Sequence, residues 1–116
     1  MADLLAPCEK TPLRDLGAVT AVATSRRTQL MGVSVLNNIA AAQFIQLFDV
    51  ATAGAVTLGT TNPDYEFSVA ASSSIVPVLP AGGIVFRNGL QIASTTGEKG
   101  ATPSGAGVEV FVLTIL

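Results

Sequence analysis

The sequence predicts an all-β fold, a single β-sandwich or jelly-roll-like domain of about eight short strands that follows an extended N-terminal arm. Three observations predict it. Short runs of apolar and β-branched residues alternate with polar ones, and Gly, Pro, Asn and Ser separate these runs at roughly ten-residue intervals. The length of 116 residues, with 49% hydrophobic content, fits one domain with one core.

Residues 1–16 differ from the rest of the chain. Residues 1–27 carry 7 of the 14 charges, which are 6 basic and 8 acidic, and Pro7 and Pro12 prevent a helix longer than about one turn. No alternating pattern in residues 1–16 matches another strand of the chain. We therefore predict an extended arm over residues 1–16 and a β-sandwich domain over residues 17–116. A disordered tail is the alternative.

Four leucines lie in this arm, which is unusual for a solvated tail. We predict that they enter pockets on a partner when the arm becomes ordered, and that its basic side chains contact acidic groups of a neighbouring subunit. The candidate partner-binding residues are Leu4, Leu5, Lys10, Leu13, Arg14 and Leu16. Cys8 is the only cysteine, so no intrachain disulfide can form, and we assign this thiol no role.

Three strands are predicted in the first half of the β-domain. Small and β-branched residues alternate over residues 17–24, and residues 29–37 have one apolar face. Residues 43–50 carry apolar side chains on both faces. That pattern indicates a central strand, or a strand whose outer side is covered.

A loop and a further strand follow. Residues 51–64 are rich in Gly, Thr and Pro, which predicts a loop. The alternation over residues 65–69 predicts a strand with Tyr65, Phe67 and Val69 directed inward.

The last third of the chain contains an edge strand, a long loop and a final strand. Residues 72–74 are three serines and are predicted to turn, and Pro77 makes the apolar run over residues 75–79 an edge strand. Residues 96–107 hold four Gly and a Pro, which predicts a long, mobile loop. Residues 108–116 are predicted to form a strand that is apolar on both faces. We predict that a second chain covers at least one of the two segments with this pattern, residues 44–50 or residues 108–116, in a homo-oligomer or on a capsid.

Residues 79–96 predict a β-hairpin around which the other strands are arranged. A short apolar run at residues 84–86 and an alternating run from Leu90 flank Asn88-Gly89. Asn-Gly is the strongest short-range hairpin signal, because a type I′ turn needs positive φ at both central residues.

The residue content excludes most catalytic chemistries. The chain has no histidine, so Ser-His-Asp and Cys-His constellations cannot form, and one cysteine cannot build a zinc site. Glu66 and Glu109 would have to pair for glycoside hydrolysis, but their positions in period-two strands place them toward solvent. Asp49, Asp64 and Glu98 are scattered along the sequence. We predict that the protein is not an enzyme and has no catalytic residue, metal site or cofactor.

The low content of charged residues indicates that partners cover part of the protein surface. Only 12% of the residues are charged, about half of the roughly 25% that is usual. The net charge of −2 argues against binding to nucleic acid, and no apolar run reaches the ~18–20 residues that span a bilayer. No signal peptide is apparent, so we expect the chain to be made in a cytoplasm and to stay soluble until it assembles.

Three stretches resemble small all-β virion proteins of tailed bacteriophages: QFIQLFDVA at 43–51, LGTTNPDYEF at 58–67 and LPAGGIVFRNGLQIASTTG at 79–97. Together with the final apolar strand, the resemblance covers about residues 29 to 116 and is weakest over the arm. The layout looks like that of capsid decoration, or cement, proteins, which bind the outside of an icosahedral head. The resemblance implies a homo-oligomer on the outer surface of an icosahedral head, where it bridges major capsid subunits and contacts neighbouring copies of itself.

Two other classes of protein stay open. A phage tail or fibre component that recognises a host surface should show an exposed aromatic or charged cluster in its loops. A carbohydrate-binding module needs a flat aromatic face. With 5 Phe, 1 Tyr and no Trp, most of them at predicted core positions, the sequence offers little of either.

Overall fold

In the computed structural model, which describes residues 9–13, 20–21, 26–105 and 107–115, the chain forms two antiparallel sheets and a short 3-10 helix at Ala53–Ala55. Sheet 1 has the order β1-β9-β3-β6, with β7 also beside β3, and sheet 2 has the order β2-β8-β4-β5. The predicted all-β, sandwich-like fold is confirmed. The strands are β1 Glu9–Leu13, β2 Thr20–Ala21, β3 Thr28–Asn37, β4 Gln43–Phe48, β5 Tyr65–Val69, β6 Ser73–Ile75, β7 Ile84–Phe86, β8 Gln91–Thr95 and β9 Val108–Ile115.

The core lies between the two sheets and follows from the period-two alternation of the strands. In β9, Val108, Val110 and Val112 are fully buried, while Phe111 and Leu113 at the alternate positions are exposed. Apolar side chains of both sheets meet in one cluster, as expected when each sheet buries one face. Its buried members are Leu30, Val33, Val35, Ile45, Leu47, Val69, Ile84, Phe86, Leu90, Ile92, Val108, Val110 and Val112.

A β-bulge at Met31 lets β3 bury residues on both sides of the bulge in this core. The pairing of β3 with β9 shifts between Leu30 and Gly32, so that Met31 is an extra residue. Strict alternation would put Leu30 and Val33 on opposite faces, yet both are buried. The bulge therefore leaves Met31 exposed and Gly32 half-buried, both outside the core.

The predicted hairpin at Asn88-Gly89 is wrong. β7 pairs with β3 in sheet 1, whereas β8 pairs with β2 and β4 in sheet 2, so residues 87–90 cross from one sheet to the other. Gly89 has a φ of 147°, but Asn88 is not among the residues with positive φ. The Asn-Gly signal is local. It gives way here because the crossing buries Phe86, Leu90 and Ile92 in one core.

The predicted edge strand at residues 75–79 begins and ends earlier. The chain turns at residues 71–72, where Ser72 has a φ of 51°, and β6 then pairs Ser73–Ile75 with the end of β3. Residues 76–80 lie in no strand. Pro77 explains the early end, because it has no N–H to donate to a ladder.

Tyr65 was predicted to face inward with Phe67 and Val69, and it does, since it lies opposite the buried Leu47 of β4, but it is not fully buried. Val69 is buried and Phe67 half-buried, but 47% of Tyr65 is exposed. β5 is the edge strand of sheet 2, and Tyr65 stands at its start. Its ring packs edge-on against Phe86, with the ring centroids 5.9 Å apart.

The expectation that residues 1–16 find no strand partner in the chain is wrong for residues 9–13. These residues form β1, which pairs antiparallel with β9 from Glu9 opposite Thr114 to Leu13 opposite Val110. β1 is the edge strand of sheet 1, where Pro12 is tolerated because an edge N–H is not needed. The boundary predicted between residues 16 and 17 lies outside the described residues and stays a prediction.

Candidate interaction surface

One face of sheet 1 is turned away from the core and carries apolar side chains; we call it the outer face. Phe111 is 45% exposed and Leu113 39% exposed, in contrast to their fully buried neighbours in β9. Val85 of β7 and Met31 of β3 are exposed beside them. The described outer-face residues are Gln29, Met31, Gly32, Ser34 and Leu36 of β3, Ser74 of β6, Val85 of β7, and Glu109, Phe111, Leu113 and Ile115 of β9.

A groove of about 300 Å³ runs over this face. Gly32 has no side chain and that of Ser34 is small, so β3 forms the floor of the groove, while β9 supplies one wall and Val76 the other. A Cβ atom on Gly32 would lie 3.5 Å from Leu113 Cδ1, an ordinary contact. The lining residues are Gly32, Val33, Ser34, Val76, Phe111, Val112 and Leu113.

The outer face has little charge. Over the described parts of β3, β6, β7 and β9, Glu109 is the one charged side chain on it, and it lies opposite Leu36 at one end of the sheet. β1 adds one charged position, Lys10, opposite Leu113. Contiguous apolar surface with so little charge is typical of a contact with another macromolecule.

The outer side of β4 is different, because its side chains are buried within the chain. β4 lies between β8 and β5, and both Gln46 and Phe48 are fully buried. Gln46 Nε2 donates to Thr95 Oγ1 at 2.9 Å, and the Lys99 N–H donates to Glu66 Oε2 at 2.8 Å, which brings the loop after β8 onto this side. We predicted either a central strand or a strand with a covered outer side, and β4 is both.

We predicted that a second chain seals at least one of the two strands that are apolar on both faces. With β4 covered, the prediction now concerns β9 alone, and it stays a prediction. The position of the groove could not be read from the sequence, because it depends on the bulge at Met31. The small residues at 32 and 34 beside a large apolar strand were the available signal.

The structure places only part of the predicted partner-binding set. Lys10 and Leu13 lie in β1, opposite Leu113 and Val110 of β9. Leu4, Leu5, Arg14 and Leu16 lie outside the described residues, as does Cys8. The predicted binding roles of all six residues stay predictions.

Asp49 and Asp64, taken from the sequence as scattered, lie together. The Asp49 N–H donates to Asp64 Oδ2 at 2.7 Å, and both acids line a cleft of about 220 Å³ with Tyr65, Val85 and Phe86. The carboxylates accept backbone N–H groups, so their role in this arrangement is to hold the chain. Within the described ranges no three acidic or cysteine residues group as metal ligands.

Glu66 and Glu109 do not form a catalytic pair. Glu66 lies in β5 of sheet 2 and Glu109 in β9 of sheet 1, on the outer sides of the two sheets. Both are half-buried rather than fully exposed. Glu66 lines a cleft of about 430 Å³ together with Phe44, Phe67, Ser68, Ile75 and Glu98. Glu66 Oε2 accepts the Lys99 N–H, so this carboxylate holds the loop after β8.

Comparisons with known proteins add two distant structural similarities. No protein-family model matches the chain, and no curated protein matches it in sequence. A subunit of Bacillus endospore appendages, described as a family of disulfide-linked pili, is 13% identical with a TM-score of 0.40, over 99% of this chain and 93% of that one. The Tobacco streak virus coat protein is 7% identical with a TM-score of 0.39, over 98% and 90%. Similarity at this level says nothing about partners or activity. In the described part of the chain, no helix has the length and apolar character to cross a bilayer.

Proposed function

We propose that this chain is a structural virion protein, specifically a capsid decoration protein that binds the outside of an icosahedral phage head and bridges major capsid subunits. The observation that carries the proposal is the outer face of sheet 1. It is apolar over β3, β6, β7 and β9, where Glu109 at one end is the one charged side chain among the described residues, and it holds a groove lined by apolar and small residues.

The outer face fits a protein that functions while bound to other subunits. Burying apolar surface stabilises a complex by roughly 25 cal/mol per Å². The exposed surface of Phe111, Leu113 and Val76 contributes this stabilisation only when another chain covers it. A decoration protein is held in such contacts permanently, on a lattice that presents many equivalent sites. A freely soluble monomer would gain nothing from this face.

The N-terminal arm is the second part of the proposal. β1 holds residues 9–13 at the edge of sheet 1. We assign Leu4 and Leu5 as anchors in pockets of a capsid subunit, with Lys10 and Arg14 directed to its acidic groups. Leu13 and Leu16 complete the set of contacts.

Localisation on the particle tests this function. Purified virions are labelled with an antibody against the chain, and its copy number is measured on a stained gel against the major capsid protein. The decoration role requires many copies distributed over the head. A few copies at the tail tip would instead support the alternative, a tail or fibre component, and absence from the particle would overturn both.

A further inference from the structure

We propose that the outer face of sheet 1 packs against the same face of a second copy of this chain, forming a two-fold dimer in which Phe111 of each copy enters the groove of the other. This inference rests on the proposed structural role and names one partner for it. The occupant is a second copy because one face carries both parts of the contact. Phe111 and Leu113 form a ridge, and the groove beside it lies at the same height along the strands.

The ridge and the groove lie side by side on neighbouring strands. Phe111 and Leu113 stand up from β9, and Gly32 and Ser34 form the floor on β3. The register between the strands sets Phe111 opposite Ser34 and Leu113 opposite Gly32. Ridge and groove are therefore at the same height along the sheet.

A two-fold axis that runs parallel to the strands, between β9 and β3, brings the ridge of each copy over the groove of the other. Rotation about such an axis keeps every residue at its height and places β9 of one copy over β3 of the other. Phe111 then lies over Ser34 of the second copy, and Leu113 over Gly32 of the second copy. A contact of this kind is isologous, because both copies use the same surface.

The rest of the sheet agrees with the same axis. Sheet 1 has β1 and β9 on one side of the axis, and β3 with the β6 side on the other. The exposed Pro12 of β1 comes to face the side of the second copy that carries Val76. Glu109 comes to face Leu36 of the second copy, so the two like charges do not meet directly. Aligned packing of two sheets is a common arrangement in β-proteins.

The size of the face determines how stable such a dimer is. Four strand positions across and the eight residues of β9 along the sheet correspond to a footprint of about 500 Å² per copy. The total of roughly 1,000 Å² lies below the ~1,200–2,000 Å² of stable specific interfaces, in the range of weak and transient ones. We therefore expect a dimer that dissociates on dilution and that becomes stable when copies are held close together on a lattice.

Sedimentation velocity of the full-length protein over a range of concentrations tests the dimer. Ser34→Leu fills the groove of each copy, and Phe111→Ala removes the ridge. Each variant alone should weaken dimerisation by at least about tenfold. Ser68→Leu is the matched control, because Ser68 is exposed on β5 of the other sheet, and it should dimerise like the wild type.

Mixing the two variants tests the mutual geometry. In a mixed dimer, Phe111 of the Ser34→Leu chain enters the open groove of the Phe111→Ala chain, while the filled groove faces the shortened side chain. The mixture should therefore form heterodimers with an affinity within a few fold of the wild type. If Ser34→Leu does not fold, Gly32→Val fills the same groove, and the ordinary 3.5 Å contact of its Cβ leaves the strand intact.

Several results would overturn the dimer. A wild-type chain that is monomeric at every concentration excludes it, and so does a dimer that both variants leave unchanged. Loss in the single variants without recovery in the mixture excludes the reciprocal contact. A monomer whose Ser34→Leu variant no longer binds capsids would identify a capsid subunit as the occupant. The virion labelling is independent of all these results, so failure of the dimer is distinguishable from failure of the decoration role.

Discussion

The backbone N–H of Asn88 donates to Asp49 Oδ1 at 2.8 Å, which joins the crossing between the two sheets to the end of β4. Asp49 in turn donates its own N–H to Asp64 Oδ2, and the Asp64 N–H donates to the carbonyl oxygen of Leu47. Three chain segments that are distant in sequence are thus held by two carboxylates. The dipeptide at 88–89 serves this crossing rather than a hairpin.

Asp49→Ala should lower the free energy of unfolding by about 1–2 kcal/mol, because the Asn88 N–H loses a charged acceptor. The value lies at the low end for charge-assisted hydrogen bonds since the contact is exposed to water. Urea denaturation measures it. Glu98→Ala removes an exposed acid elsewhere in the chain and serves as the control. Equal stabilities of the two variants would show that Asp49 does not hold the crossing.

Gly89→Val should destabilise the protein by roughly 1–3 kcal/mol. Gly89 is buried and has a φ of 147°, a conformation that β-branched residues rarely adopt. The control is Gly97→Val, where a new Cβ would meet no atom within 4 Å and φ is not positive. Thermal unfolding of both variants compares them, and a Gly89→Val protein as stable as the control would contradict the conformational argument.

The prediction of strands from sequence succeeded for β3, β4, β5 and β9, which lie within two residues of their predicted bounds. Apolar residues recur at every second position over most of each of these strands, and the predictions rest on that period. The partners of the strands were not readable. Asn88-Gly89 carries a strong local turn signal, but the choice between a hairpin and a crossing depends on which sheet buries Phe86 and which buries Ile92. Only the complete core decides that.

The sequence predicted that β4 or β9 contacts another chain, but it did not predict where on the sheet the interaction surface lies. Apolar residues on both faces of residues 108–116 indicated contact with another chain. The same pattern in residues 43–50 has a different cause, since the loop after β8 lies on the outer side of β4. Sequence alternation shows that a face is apolar, but it does not show which part of the chain folds over it.

A comparison of two phenylalanines separates the core from the interface. Phe48 is fully buried, so Phe48→Ala should cost about 3–5 kcal/mol of stability. Phe111 is 45% exposed, so Phe111→Ala should cost under about 1 kcal/mol in dilute solution, where the chain is monomeric. Chemical denaturation at low protein concentration measures both values. A large loss for Phe111→Ala under these conditions would place its ring in the fold of the single chain.

Two N-terminal deletions separate the sheet from the arm. Deleting residues 2–8 leaves β1 intact, so the melting temperature should stay within a few degrees of the wild type, while attachment to capsids weakens because Leu4 and Leu5 are lost. Deleting residues 2–16 also removes β1 and exposes the edge of β9. We expect the melting temperature to fall by several degrees or more, because the five-residue pairing with β9 is lost.

The longer deletion should also make the protein associate with itself, since an exposed apolar edge strand is a template for pairing with other chains. Light scattering on heating detects this, and the shorter deletion is its matched control. Capsid binding at wild-type strength after removal of residues 2–8 would show that the β-domain alone makes the contact. An unchanged melting temperature after removal of residues 2–16 would show that β1 contributes nothing to the stability of sheet 1, and that residues 9–13 belong functionally to the arm.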